Sequence, residues 1–201
     1  MRATSLFLHA KGSERVLELK KDFMRMVNWA NNPRILVFAD EKPMKDIDIY
    51  GRVRHNVITP YCILKAVKLQ KERACEALVF ERKADSHLYF AFVKHLLSSR
   101  SLVPGDISLV DNCTIHMNGK CKNLQKDLWE LAQILMVPLP RYHPELNPTE
   151  FLLNYLIQEL RRKASRFEFL NTSEYEKCMI KILNRVRYSY VKRFYIKQNY
   201  I

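Results

Sequence analysis

The sequence has no run of about eighteen or more apolar residues, the length a membrane span needs, and no basic-then-apolar start that would mark a secretory signal. The expected protein is therefore neither membrane-spanning nor secreted. It belongs in the nucleus if the host is a eukaryote, or in the cytoplasm and nucleoid if it is a bacterium. Glycine and proline are scarce, at 4 and 8 of 201 residues, which leaves little material for flexible linkers. No internal repeat and no compositional break divides the chain. The five cysteines are odd in number and irregular in spacing, which argues against a disulfide framework and for a reducing compartment. Acidic residues are also short, with 21 Asp and Glu against 34 Lys and Arg.

What is present describes a globular protein. Hydrophobic residues make up 48% and charged residues 27%, so the chain can bury one full core. The formal net charge of +13 sets up a field that attracts polyanions, of which nucleic acid is the commonest. The excess is uneven. Residues 151–201 hold eleven Lys and Arg, among them Arg161, Arg162 and Lys163, against four Glu, a net +7. Tyr188, Tyr190, Phe194, Tyr195 and Tyr200 lie among these cations. Such a stretch either tracks DNA phosphates or is a solvated helix face backed by core aromatics.

Residues 13–30 read as an amphipathic helix with Val16, Leu19, Phe23, Met26 and Val27 at helical spacing, ended by Asn31-Asn32-Pro33. Five strands are expected. The first is the apolar run at Ile35–Phe38 leading into Asp40-Glu41, and a polar, turn-like stretch around Gly51 follows over 41–56. The others are Val57–Val67 (interrupted by Pro60), Ala77–Phe80, Ile107–Val110 and Leu135–Leu139. Asp85 caps a helix carrying Leu88, Phe92, Val93 and Leu96, and another helix runs from about Lys122 to Ile134. Pro140–Pro148 reads as an irregular loop, and helices fill roughly 148–163 and 173–193. Strands first, then strands alternating with helices, describe an α/β fold with a mixed five-stranded sheet flanked by helices.

Asp40 and Asp111 end apolar strands, where open α/β sheets place their active sites, and Glu150 opens a helix. Hard divalent cations prefer oxygen ligands, and carboxylates converging from different elements hold them. Each residue has a plain structural reading beside this one. Aspartate is a common turn residue, and Asn147-Pro148-Thr149-Glu150 is a near-ideal helix start with Asn at the cap and Glu closing a capping box. Cys113, His116 and Cys121 lack a fourth ligand at zinc-finger spacing, so a zinc site is not expected.

The words around these residues carry a resemblance. Val110-Asp111-Asn112-Cys113-Thr114-Ile115-His116 resembles the V-D-N-A-x-I-H signature of mariner-like transposases and their bacterial insertion-sequence relatives. Pro138 to Glu150, reading PLPRYHPELNPTE, resembles their L-P-P-Y-S-P-E-L-N-P-I-E. Val37-Phe38-Ala39-Asp40-Glu41 is similar to V-F-x-D-E, and Tyr50-Gly51-Arg52 falls where relatives often carry a similar tripeptide. The blocks occur in the family's order over about residues 34–163. The departures are His143 where relatives usually have Ser, Arg141 in place of a second Pro, and Tyr155 rather than a Trp following the Glu.

The resemblance implies an RNase H-like fold and a DDE endonuclease and strand transferase that serves DNA recombination and integration. Asp40, Asp111 and Glu150 would be both catalytic triad and metal ligands, holding two ions, Mg²⁺ or Mn²⁺. DNA, as transposon ends and target, would be the partner, with room for a homodimer. Two rivals are a transposase-derived DNA-binding protein without activity and an RNase H-like nuclease without strand transfer. Asn112 and His116 would tune the metal, contact DNA or fix the turn, and Arg161, Arg162 and Lys163 would contact DNA. Residues 1–33 form a helical lead-in and 34–201 the catalytic domain with basic C-terminal helices. Family members carry DNA-reading modules before that domain, and the lead-in is too short for one, so binding should be electrostatic and weakly sequence-selective. Thirty-eight residues, 112–149, separate Asp111 from Glu150, and the usual spacing of relatives fits Glu145 better. Glu150 is nevertheless expected to converge with the aspartates and Glu145 to point elsewhere, because a helix's first turn holds a ligand more rigidly than a Pro-bracketed loop.

Overall fold

The computed structural model describes residues 14–44, 61–72, 74–167 and 172–201. The turn around Gly51, the Tyr50-Gly51-Arg52 tripeptide, the Val57–Pro60 start of the second strand and residues 1–13 of the lead-in lie outside the described residues. The strands are β1 (Leu36–Met44), β2 (Tyr61–Lys68), β3 (Cys75–Phe80), β4 (Ile107–Val110) and β5 (Leu135–Pro138). The helices are α1 (Glu14–Ala30), α2 (Ser86–Ser98), α3 (Leu124–Ala132), α4 (Thr149–Phe167), α5 (Thr172–Leu183) and α6 (Tyr188–Lys197). One sheet orders the strands β3-β2-β1-β4-β5. β1 is antiparallel to β2 and β2 to β3, whereas β1–β4 and β4–β5 are parallel. This is the mixed five-stranded sheet that the sequence pattern implies.

Side chains alternate along a strand, and here both faces are covered. Leu36 and Phe38 of β1 join one core with Phe23 and Val27 of α1, Leu152 and Leu156 of α4, Met179 of α5 and Tyr195 of α6. Val37 and Ala39 join the other with Leu88, Phe92 and Leu96 of α2 and Leu124 and Leu128 of α3. Asp85 caps α2, its Oδ1 accepting the Leu88 N–H at 2.8 Å. No helix among the described residues is long and apolar enough to cross a membrane.

The structure corrects three expectations about elements. β1 does not end at Phe38 but continues through the polar residues to Met44, because pairing with β2 carries it on, down to Met44↔Tyr61. Pro43 sits where β1 has outrun β4, on an open edge that tolerates a residue without an N–H. The helix expected over 122–134 is shorter, with 3₁₀ turns at Thr114–His116 and Gly119–Cys121 ahead of it. The helix expected over 173–193 is two, α5 and α6, joined by a turn over 184–187 that buries Val186. In α1, Phe23 and Val27 face the core but Leu19 is exposed.

The C-terminal aromatics divide. Tyr195 and Tyr200 are core residues, packed against Phe38 at ring distances of 5.4 and 5.0 Å. Their hydroxyls donate to Leu36 O and Leu146 O, each at 2.7 Å. A buried phenol with a satisfied O–H adds a large apolar area to the core without leaving a polar group unpaired. Tyr200 thereby ties the chain's end to the loop before α4. Tyr188 and Phe194 are half-buried, and Tyr190 is exposed.

Candidate active site

The parallel register sets two of the acidic residues. Ala39↔Val110 is the last β1–β4 pair, so the next residue of each chain, Asp40 and Asp111, lies at the carboxyl end of neighbouring strands, which run about 4.8 Å apart. Glu150 enters from the first turn of α4. Asp40, Asp111 and Glu150 all line one cleft of about 530 Å³, whose wall also includes Asn112, His143 and Asn147. Glu145 is not in that wall. Its Oε1 accepts from His143 Nδ1 at 2.8 Å and lies 3.5 Å from Lys20 Nζ of α1. A larger cavity of about 790 Å³ opens between β3 and the C-terminal helices. It gathers only one carboxylate, Glu76, and that group is engaged by His95 at 3.3 Å and Ser101 at 3.1 Å, so the acidic chemistry belongs to the smaller cleft.

Asp40 is 4% exposed, and a buried charge survives only with partners. Its Oδ2 has three: Lys65 Nζ at 2.9 Å, Thr149 Oγ1 at 2.8 Å and Asn147 Nδ2 at 3.2 Å. Lys65 faces Asp40 directly across the β1–β2 ladder. The Thr149 hydroxyl also lies 2.7 Å from Asn147 Oδ1, but its one proton goes to the carboxylate, the stronger acceptor. Asn147 Oδ1 accepts the Thr149 N–H at 3.2 Å and so caps α4 as the sequence suggests. The reciprocal half of the capping box is not formed among the described residues, since the Glu150 side chain lines the cleft instead.

Asp111 is held from the other side of the sheet. Its Oδ1 accepts the Cys113 N–H at 2.9 Å and lies 3.0 Å from His116 Nδ1. His116 is fully buried beside the Tyr89 ring, and its Nε2 is 2.7 Å from Glu41 Oε2. Strand alternation explains the division of labour: Asp40 and Glu41 are consecutive, so one faces the α4 side and the other the α2 side. Burial works against a charge on His116, but the hydrogen bonds to Asp111 and Glu41 outweigh it and raise its pKa to about 10. Burial likewise pushes Asp111 up, yet the His116 and Cys113 hydrogen bonds hold it below the usual carboxylate range. Glu41, Asp111 and His116 offer ligand atoms within 4.8 Å of one another. In the metal-free site both ring nitrogens carry protons, and His116 bridges the two carboxylates. Burial raises the Cys113 and Cys121 thiols, Cys113 to about 11, and Cys121 Sγ donates to Ser86 O at 3.2 Å.

The donor chemistry fits hard divalent ions. Among the described residues, Asp40 Oδ1 and Asp111 Oδ2 have no hydrogen-bond partner, and both belong to carboxylates in the cleft wall beside Glu150. The other expected site residues are placed differently. Asn112 lines the cleft but spends its amide on Leu139 O, tying the ends of β4 and β5 together. Arg161, Arg162 and Lys163 lie about 16–20 Å beyond Glu150 along α4, at 1.5 Å per residue, outside the cleft wall. Arg162 pairs with Glu159 at 2.6 Å. The sequence reading missed Lys65, although a lone Lys inside the otherwise apolar run Tyr61–Val67 is a readable signal. It also missed the anchoring roles of Glu41 and Thr149.

A mixed sheet with Asp40 and Asp111 at the carboxyl ends of neighbouring parallel strands, and Glu150 brought to the same cleft by α4, is an RNase H-like arrangement. The family model for DDE superfamily endonucleases matches residues 35–172, and the chain belongs to that family. No curated protein sequence matches it. Among solved structures it is similar to a Mos1 transposase paired-end complex with left transposon end, at 16% identity and a TM-score of 0.64, covering 92% of this chain and 60% of that one. It is also similar to the catalytic domain of Mos1 mariner transposase, at 14% identity and a TM-score of 0.64, covering 92% and 87%. The Mos1 catalytic domain with Raltegravir and Mn gives the same score at 14% identity, covering 92% and 90%. At these identities the likeness is one of fold, and the expected RNase H-like architecture is the observed one. The chain spans about three-fifths of the transposase chains in the paired-end complexes.

Proposed function

We propose that this chain is the catalytic domain of a mariner-like transposase, which cuts DNA at element ends and joins the freed 3′-hydroxyl to target DNA. The observation that carries this reading is the meeting of Asp40, Asp111 and Glu150 in one cleft of a DDE-family chain. Those three carboxylates would hold the divalent ions, Mg²⁺ or Mn²⁺, two of them by analogy with the family. Bound there, the ions would lower the pKa of the attacking water or hydroxyl and offset charge developing at the phosphorus. The protein's own part is positioning. Lys65, Thr149 and Asn147 fix the Asp40 carboxylate, while His116 and Cys113 fix that of Asp111. Groups locked in this way need no reorganisation when the phosphodiester arrives.

The test is nicking of supercoiled DNA and of duplex element ends in Mn²⁺ or Mg²⁺, with EDTA as control. Nicked product that depends on the metal is expected, and joined product separates a transposase from a nuclease without strand transfer. A folded protein that never nicks with Mn²⁺ would leave only a DNA-binding role. Glu150→Gln should lower the rate by roughly a hundredfold and Glu145→Gln by less than about fivefold. The reverse order would transfer the third ligand to Glu145.

DNA binding is expected to be mostly electrostatic. The logarithm of affinity should fall with that of salt by about 0.9 per phosphate neutralised, and replacing Arg161 and Lys163 by Gln should reduce that slope by roughly 1 to 2. An unchanged slope in the double variant would remove α4 from the DNA path.

A further inference from the structure

The two aspartates are each half-occupied, Asp111 by the His116 imidazolium and a backbone N–H, and Asp40 by an ammonium. Asp111 gives Oδ1 to Cys113 and His116 and keeps Oδ2. Asp40 gives Oδ2 to Lys65, Thr149 and Asn147 and keeps Oδ1. The Lys65 ammonium cannot easily leave. The residue is 1% exposed, stands opposite Asp40 in the ladder and shares its face of β2 with Ile63 and Val67 of the core. Among the described residues its ion-pair partner is Asp40 alone, so moving away would strand a buried charge. A divalent ion bound about 2.1 Å from the same Oδ2 would come to rest about 4 Å from the ammonium, and the like charges would repel strongly.

We propose that Lys65 stands in for one cation of this site. By occupying Asp40 Oδ2 it leaves Asp40 one oxygen for metal, so the protein alone takes a single divalent ion through Asp40 Oδ1 and Asp111 Oδ2 with Glu150. A second ion enters only when DNA brings phosphate oxygens. This rests on the metal-dependent reading above and adds to it an order of loading set by one buried lysine. Loading is thereby coupled to substrate: without DNA, Asp40 cannot bridge two ions.

The experiment counts Mn²⁺ bound to the full chain from the electron paramagnetic resonance signal of the free ion. About one Mn²⁺ per chain is expected without DNA, rising to about two over the DNA-only control when a short duplex is added. Lys65→Gln should bind about two without DNA, whereas Lys65→Arg, which keeps the charge, should stay at about one. Circular dichroism establishes that each variant is folded, and Lys65→Met serves as the neutral variant if the Gln form is not. Two ions on the DNA-free wild type, or one on a folded neutral variant, would overturn the role of Lys65 and leave the transposase reading intact. A wild-type count that does not rise with DNA would overturn it as well, independently of any variant. No bound Mn²⁺ at all would overturn both.

Discussion

Asp111→Asn is expected to slow metal-dependent nicking by at least about a thousandfold, roughly 4 kcal/mol of transition-state stabilisation, with the fold intact. The hydrogen bonds at this residue make the substitution unusually clean. Asp111 Oδ1 faces two donors, the Cys113 N–H and the His116 imidazolium. An asparagine there has only one orientation that satisfies both, with its carbonyl oxygen towards them. Its NH₂ group then occupies the place of Oδ2 and points a donor, not a ligand, at the ion. The turn after β4 keeps its hydrogen bonds, while His116 keeps Glu41 as its remaining carboxylate partner, so the melt in EDTA falls but the fold stands. Nicking rates measured over a range of Mn²⁺ concentrations, beside thermal melts in EDTA, check both halves. Near-wild-type cleavage by a folded Asp111→Asn protein would mean that Asp111 is not a ligand.

The frame of this site was legible because it rests on local chemistry. Strands β4 and β5 are short apolar runs with polar ends, and the Asn-Pro pair before α4 declares a helix start whatever surrounds it. Asp40, Asp111 and Glu150 stand at such ends and were readable for that reason. What stayed hidden depends on partners distant in sequence. β1 continues past Phe38 only because β2 pairs with it, and no periodicity in DEKPM announces that. Lys65 looks like an intruder in a hydrophobic strand until the register sets it opposite Asp40. Tyr195 and Tyr200 look like part of a basic, aromatic-rich tail until Phe38 and two backbone carbonyls claim them. The choice of Glu150 over Glu145 ran against spacing. In the structure Glu150 lines the cleft, while Glu145 is bound to His143 and Lys20 outside it, and the Glu150→Gln and Glu145→Gln pair tests the choice.

The metal-free protein is expected to lose stability as pH rises from 6.5 to 8.5, by about 2 kcal/mol, and His116 is the reason. In the unfolded chain the imidazole has its ordinary pKa of 6.5, while in the fold Asp111 and Glu41 raise it to about 10. Below pH 6.5 both states carry the proton and the full contribution is present. Between the two values only the folded state binds it, so raising the pH favours unfolding by up to about 1.4 kcal/mol per unit until the contribution is gone above about 10. Asp111 works in the opposite direction at the acidic end, since its folded pKa is depressed and its contribution is lost as pH falls below the ordinary carboxylate value. The buried thiols also weaken the fold in alkali, but only above their ordinary value of 9, because Cys62 and Cys113 are raised to about 11. The window from 6.5 to 8.5 therefore lies below the thiols, and the His116 variant identifies the imidazole's share of the slope. His116→Gln should lower stability at pH 7 by about 3 kcal/mol, because Glu41 and Asp111 lose the charge between them. The same substitution should flatten the profile across that window. Urea denaturation at half-unit pH steps in EDTA measures both. A flat wild-type profile, or an equal slope in the variant, would show that His116 sits between the two carboxylates without holding its proton.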